Sequence, residues 1–239
     1  MCTVIITVPE DDSRPVRLLA VRDEDPARPW NRLGAWWPEA YPGVVGIRDA
    51  RAGGAWLAAA PAARRLAVLL NRHDLSERAD ADVHTRGTVA LESVIGRSPD
   101  EHPPTRGFNL VEVTAHTARV VSWDGLASRT VELSPGTHMV AHDEVDDPDT
   151  ARISTWLPEF RSAAEAAPDA EWWRPWLEIM DRSAALPGDD DAAIIRRQSY
   201  EGIPSYSLLV CVATVGESGV DVRDAPLTTP GEWTPTPLD

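Results

Sequence analysis

Cys2 is one of only two cysteines in a chain of 239 residues, and it directly follows Met1. Removal of a methionine ahead of a small residue would leave a thiol and an α-amine on the same residue. An α-amine titrates near pH 8 by its reference value, so part of it is unprotonated at neutral pH and can accept the thiol's proton. A nucleophile that carries its own base in this way is the logic of N-terminal-nucleophile catalysis. The position alone fits equally well a buried cysteine at the edge of a first strand.

The stretch "AVRDEDPARP" (residues 20–29) ends an otherwise apolar run with dense charge. A carboxylate there could hold the α-amine, and Arg22 could favour a thiolate. The same run also fits a strand end in water. Asn71 closes a later apolar run, where its amide could donate to a developing oxyanion or simply cap a turn. His138 and His142 are four apart, but their segment reads as extended, so the spacing of metal ligands on a helix does not apply. The "GESG" at residues 216–219 is one residue short of a nucleophile elbow and reads as a hairpin turn.

These residues need elements to position them. Residues 3–8 and 16–21 are β-branched runs separated by "PEDDSRP", a turn composition. They predict an antiparallel hairpin in which facing residues sum to about 25, with Cys2 opposite Asp23 and beside Arg22. Residues 55–60 and 66–70 predict a second strand pair, and residues 85–95 a short helix. Short strands are expected at 110–113, 119–123, 130–133 and 138–141, and helices at 149–166 and 170–186. Pro175 falls in a first turn or at a break. A strand is expected at 205–214, with a hairpin partner at 219–222 and an irregular tail from 228. With no repeat and no long linker, the pattern reads as one α+β domain over residues 1–239.

Composition narrows the function classes. The net charge is −15, the isoelectric point is about 4.8, and every basic residue is arginine. An acidic chain repels nucleic-acid backbones and anionic lipid. The absence of lysine removes Schiff-base chemistry and Walker-type phosphate loops. Two cysteines build no disulfide scaffold, no zinc spacing is present, and no apolar run approaches membrane-spanning length. The N-terminus lacks the basic region of a signal peptide. The expectation is a cytoplasmic protein without nucleic-acid partners, resident cofactor or metal.

The ordered set of motifs resembles the NRDE family, the homologues of transport and Golgi organisation protein 2. Its members begin Met-Cys and carry "NRDE" at the end of the second strand. This chain has "MC", "VRDEDPARP" (21–29), "GGAWLA" (53–58), "LLNR" (69–72), "TRG" (85–87), "QSYEGIPSYSLLV" (198–210) and "GEWTP" (231–235). The resemblance implies an N-terminal-nucleophile hydrolase-like αββα sandwich of two mostly antiparallel sheets. It implies kinship with enzymes of the cholylglycine hydrolase and penicillin V acylase type, which cleave non-peptide amides. By position Cys2 is the nucleophile, Asp23 holds its amine, Arg22 and Glu24 complete the signature, and Asn71 matches an oxyanion asparagine. Three positions depart from the family pattern: Val21 stands for asparagine, His142 for a second oxyanion asparagine, and Pro204 for a late arginine. The implied activity is hydrolysis of a linear amide. The alternative is a non-catalytic carrier of an amphipathic small molecule, haem or an acyl lipid, and the third option is a pseudo-enzyme with a tryptophan-rich contact surface.

Overall fold

The two N-terminal β-branched runs pair as an antiparallel hairpin of β1 (Thr3–Val8) and β2 (Val16–Glu24). In the computed structural model residues 2–166, 170–200, 202–234 and 238 are described. Met1, Glu201 within the late motif and Pro235 within "GEWTP" lie outside them, as does part of the tail from 228. The facing residues of the hairpin sum to 24 (Thr3 to Val21, Val4 to Ala20). That is one less than the sequence predicts, because the loop 9–15 is symmetric about residue 12. Cys2 therefore falls opposite Arg22 and beside Asp23.

Seven strands follow in chain order and pair each with the next: β3 (Trp30–Gly34), β4 (Val45–Asp49), β5 (Ala55–Ala60), β6 (Arg65–Asn71), β7 (Phe108–Val113), β8 (Ala118–Trp123) and β9 (Ser128–Glu132). The only α-helix described between β6 and β7 is α1 (Val89–Val94), shorter than the expected 85–95. β10 (Gly136–Val140) then returns to pair with β1. After it come α2 (Ala151–Ala166), α3 (Arg174–Ser183), β11 (Arg197–Tyr200), β12 (Ile203–Gly216) and β13 (Gly219–Pro226). Pro175 lies in the first turn of α3, where its missing N–H costs nothing. Gly216 pairs with Gly219, so Glu217 and Ser218 form the tight turn read from "GESG".

The second sheet runs β10-β1-β2-β12-β11, with β13 also on β12, and all pairings in both sheets are antiparallel. Strand alternation sorts the core into three layers. Val4, Ile6, Leu18 and Ala20 of one sheet meet Leu57, Val68 and Val111 of the other. Ile5, Leu19 and Val212 face the opposite way and pack on Phe160 of α2 and Trp176 and Met180 of α3. Ala58, Ala67 and Leu110 cover the outer face of the seven-stranded sheet against Leu91 and Val94 of α1. The result is helices, sheet, sheet, helix: an α+β sandwich. Trp172 and Trp176 are buried in the helical layer, which removes them from any tryptophan-rich contact surface. No described helix is long and apolar enough to cross a membrane.

Candidate active site

Cys2 sits at the open end of the central hairpin, on the side facing the other sheet. Its thiol is tied to the next strand by backbone alone: the Asp23 N–H donates to Sγ at 3.3 Å, and Sγ–H points to the Asp23 carbonyl at 3.5 Å. Burial pushes the thiol pKa up, the Asp23 charge adds to this, and Arg22 works the other way. The resting thiol is consequently neutral rather than a standing thiolate.

Successive residues of β2 point to opposite faces, so Arg22 and Asp23 serve different sides of the sheet. Arg22 follows Ala20 into the inter-sheet space, where its guanidinium lies 5.7 Å from the Trp30 ring centroid. Its nearest ion partner is Glu24 at 3.9 Å, and its Nη1 is buried with no hydrogen-bond partner among the described residues. Burial pulls the Arg22 pKa down, with the charges of Cys2 and Glu24 opposing it. Asp23 is buried among polar groups, its Oδ1 accepting from the Ser207 hydroxyl at 2.6 Å. A β-bulge at Leu208 makes that contact possible. Ser207 faces Asp23 and Leu209 faces Arg22, so the extra residue turns Ser207 onto the carboxylate. On the same side, Arg152 of α2 donates from Nη1 to the Thr3 hydroxyl at 2.9 Å.

A cavity of about 910 Å³ opens over this point. Cys2, Arg22, Asp23 and Glu24 line it from the hairpin, and Asn71 lines it from the end of β6. The Asn71 side chain is exposed there and makes no hydrogen bond among the described residues, which leaves its amide available. Glu24 is knitted to Arg28 at 3.6 Å, and Arg28 in turn to Asp49 at 2.7 Å. His142 is absent from the cavity wall: its Nε2 lies 3.0 Å from the Asp143 carboxylate, and burial lowers its pKa. Val21 is buried in the helix-side layer, so the asparagine it replaces would face away from Cys2. Pro204 pairs with Ser199 of β11.

With the chain matching, over residues 1–207, the family model described as Transport and Golgi organisation 2, its relationship is decided. It belongs to that family. Among curated proteins no match to the chain is found. The motifs this family member carries are spatially convergent. "GGAWLA" and "TRG" meet where the Ala55 N–H donates to the Gly87 carbonyl at 2.9 Å. Gly54 has to be glycine there, since a Cβ would lie 1.9 Å from the Gly87 oxygen. That backbone contact brings Trp56 and Arg86 to the wall of the cavity holding Cys2.

Four residues of this region carry no role in the sequence reading: Ser207, Arg152, Trp56 and Arg86. Trp56 and Arg86 stand inside quoted motifs, which was the available signal. Ser207 depends on a bulge that no local pattern announces, and Arg152 on helix docking across 149 residues.

Proposed function

We propose that this family member is a cysteine amidohydrolase of the N-terminal-nucleophile type, acting on a linear non-peptide amide. The observation that carries the proposal is the convergence of Cys2, Asp23 and Asn71 on one cavity. With Met1 removed, the Cys2 α-amine takes the thiol proton as Sγ attacks the amide carbon. That internal transfer suits a thiol which burial keeps neutral. The Asp23 carboxylate, fixed by Ser207, orients the resulting ammonium. The Asn71 amide donates to the tetrahedral oxyanion. The ammonium then protonates the departing amine, and water hydrolyses the thioester. His142 has no part in this scheme, because it does not line the cavity that holds Cys2.

Two measurements test it. The intact mass of the purified protein should lack Met1, and Cys2→Ala should abolish turnover of bile-salt, penicillin V, N-acyl amino acid and ceramide-like amides. Asn71→Ala should slow the same reaction by about 10²–10³-fold, the usual cost of an oxyanion donor. A retained Met1, or turnover indifferent to Cys2→Ala, overturns the hydrolase reading.

One observation favours a second reading, a carrier of an amphipathic ligand such as haem or an acyl lipid. The thiol is buried and its pKa raised, so the pocket could bind without reacting. His84 and Trp56 on its wall are the side chains a haem cargo would meet. A carrier would show a Soret shift or thermal stabilisation with such ligands that Cys2→Ala leaves unchanged.

A further inference from the structure

Acidic residues outnumber basic ones by 38 to 23 across the chain, yet the cavity around Cys2 reverses the balance. Among the described residues five arginines line it, Arg22, Arg28, Arg51, Arg86 and Arg106, against four carboxylates. The carboxylates are largely engaged within the protein. Arg28 takes both Glu24 and Asp49, Ser207 holds Asp23, and Asp25 accepts from the Ala27 N–H. Of the arginines, Arg28 is paired with Glu24 and Asp49 and Arg106 with Asp74 at 4.0 Å, whereas Arg86 has no ion pair among the described residues.

Arg86 is the best placed of the five. The sequence contains "TRG" twice, at 85–87 and 105–107, and the two tripeptides lie side by side, with His84 bridged to Thr105. Arg86 donates from Nη1 to the Gly107 carbonyl at 2.6 Å. That is the only hydrogen bond its side chain makes among the described residues, and it has no ion pair there. The bond to a fixed carbonyl orients one edge of the guanidinium and leaves the rest of its donor fork unused. Burial pushes the Arg86 pKa down, with Glu24 and Asp74 opposing from a distance, so the cation sits where an anion would relieve it. A second observation is independent of Arg86: the buried Nη1 of Arg22, on the same cavity, has no hydrogen-bond partner among the described residues.

We propose that the Cys2 cavity is an anion site in which Arg86, with the unpartnered Nη1 of Arg22, binds a carboxylate carried by the amide substrate. The substrate class is thereby an amide with a carboxylate close to its scissile bond. This rests on the hydrolase reading and narrows it. A guanidinium fork matches a carboxylate in plane and charge, whereas a neutral carboxamide offers it one weaker acceptor. Arg86 acts here as a specificity residue, since its contact is with the substrate's charge rather than with the reacting carbon.

The test needs no knowledge of the natural substrate. Iodoacetate and iodoacetamide alkylate a thiol by the same displacement, forming an Sγ–carbon bond as iodide leaves, and differ in one negative charge. Rates at Cys2 are read by peptide mass spectrometry, with glutathione as the reference thiol. The iodoacetate-to-iodoacetamide ratio at Cys2 is expected to exceed that of glutathione by about tenfold or more, the effect of one charge-assisted bond. Raising salt from about 0.02 to about 0.5 M should shrink the excess, since the cavity is open to screening. Arg86→Met should bring the ratio down to the glutathione value, and Arg86→Lys should retain part of it. A wild-type ratio at or below that of glutathione overturns the proposal without any variant, as does a ratio unmoved in folded Arg86→Met. If Cys2 reacts with neither reagent, it is the hydrolase reading that fails, and the anion site falls with it.

Discussion

The Ser207 hydroxyl donates to Asp23 Oδ1 at 2.6 Å across a β-bulge that joins the first hairpin to β12. This one contact links the N-terminal motif to the late serine-rich segment, 184 residues apart. A buried carboxylate that loses a hydrogen bond costs about 1–3 kcal/mol. Ser207→Ala removes this bond and the one the hydroxyl accepts from the Arg196 N–H at 2.8 Å, and should lower the stability in urea denaturation by about that much for each. It should also slow any amide turnover by loosening the group that holds the α-ammonium. Unchanged stability and unchanged turnover together would mean that Asp23 does not depend on Ser207.

Gly54 and Gly87 make a second relationship that can be tested by a single methyl. A Cβ on Gly54 would meet the Gly87 carbonyl oxygen at 1.9 Å, and both partners are backbone. Overpacking of this kind costs about 1–3 kcal/mol and sometimes more. Gly54→Ala should therefore lower the melting temperature and shift residues 85–87, with the anion preference at Cys2 reduced alongside. Gly43, whose Cβ would meet nothing within 4 Å but whose φ is +78°, is the useful contrast. Gly43→Ala should show backbone strain alone and leave Cys2 chemistry unaltered.

Asn109 ties the two sheets together. Its Nδ2 donates to the carbonyls of Ala141 at 3.1 Å and Asp143 at 2.8 Å, while Oδ1 accepts from Ser122 at 2.7 Å and Arg72 at 3.2 Å. Asn109→Leu leaves these buried groups unpaired at about 1–3 kcal/mol each. Asn109→Asp should be worse near neutral pH, because it sets a carboxylate oxygen against the same two carbonyls. Chemical denaturation of the two variants gives the order, and equal stabilities would contradict it.

His138 supplies a pH dependence whose sign is fixed. Its hydrogen bond to Asp146, 2.7 Å between Nδ1 and Oδ2, raises the pKa above 6.5, with burial working against the rise. The folded state therefore favours the protonated ring. The stabilisation is fully present below the unfolded pKa and is lost as pH rises through the folded one. Thermal stability should decline over that interval, and His138→Gln should flatten this part of the profile. A wild-type profile that rises there would show that Asp146 is not paired with the imidazolium.

The hairpin and most of the strands were legible because β-branched alternation and turn residues act locally. Its register missed by one, which shows how far loop symmetry rather than composition sets pairing. β3, β4 and β11 were not legible. "WNRLG", "VGIRD" and "RQSY" carry too few apolar residues at period two to stand out. The helix expected over 85–95 shrank to α1 because Gly87 is held against Gly54. Residue type and motif single out Cys2, Arg22, Asp23 and Asn71, and all four line the same cavity. Ser207, Arg152 and Arg86 reach the site through a bulge, a docked helix and a loop, which no local pattern encodes.

The central claim is that Cys2 is a nucleophile set in a built site. Its most direct test is acylation of the purified protein by a small activated ester near neutral pH, read by peptide mass spectrometry. One acyl group is expected, on the peptide that begins with Cys2. None is expected on the peptide containing Cys211, which is buried and does not line the cavity, and none in Cys2→Ala. Acylation of Cys211 in preference to Cys2, or an equal increment in Cys2→Ala, would contradict it.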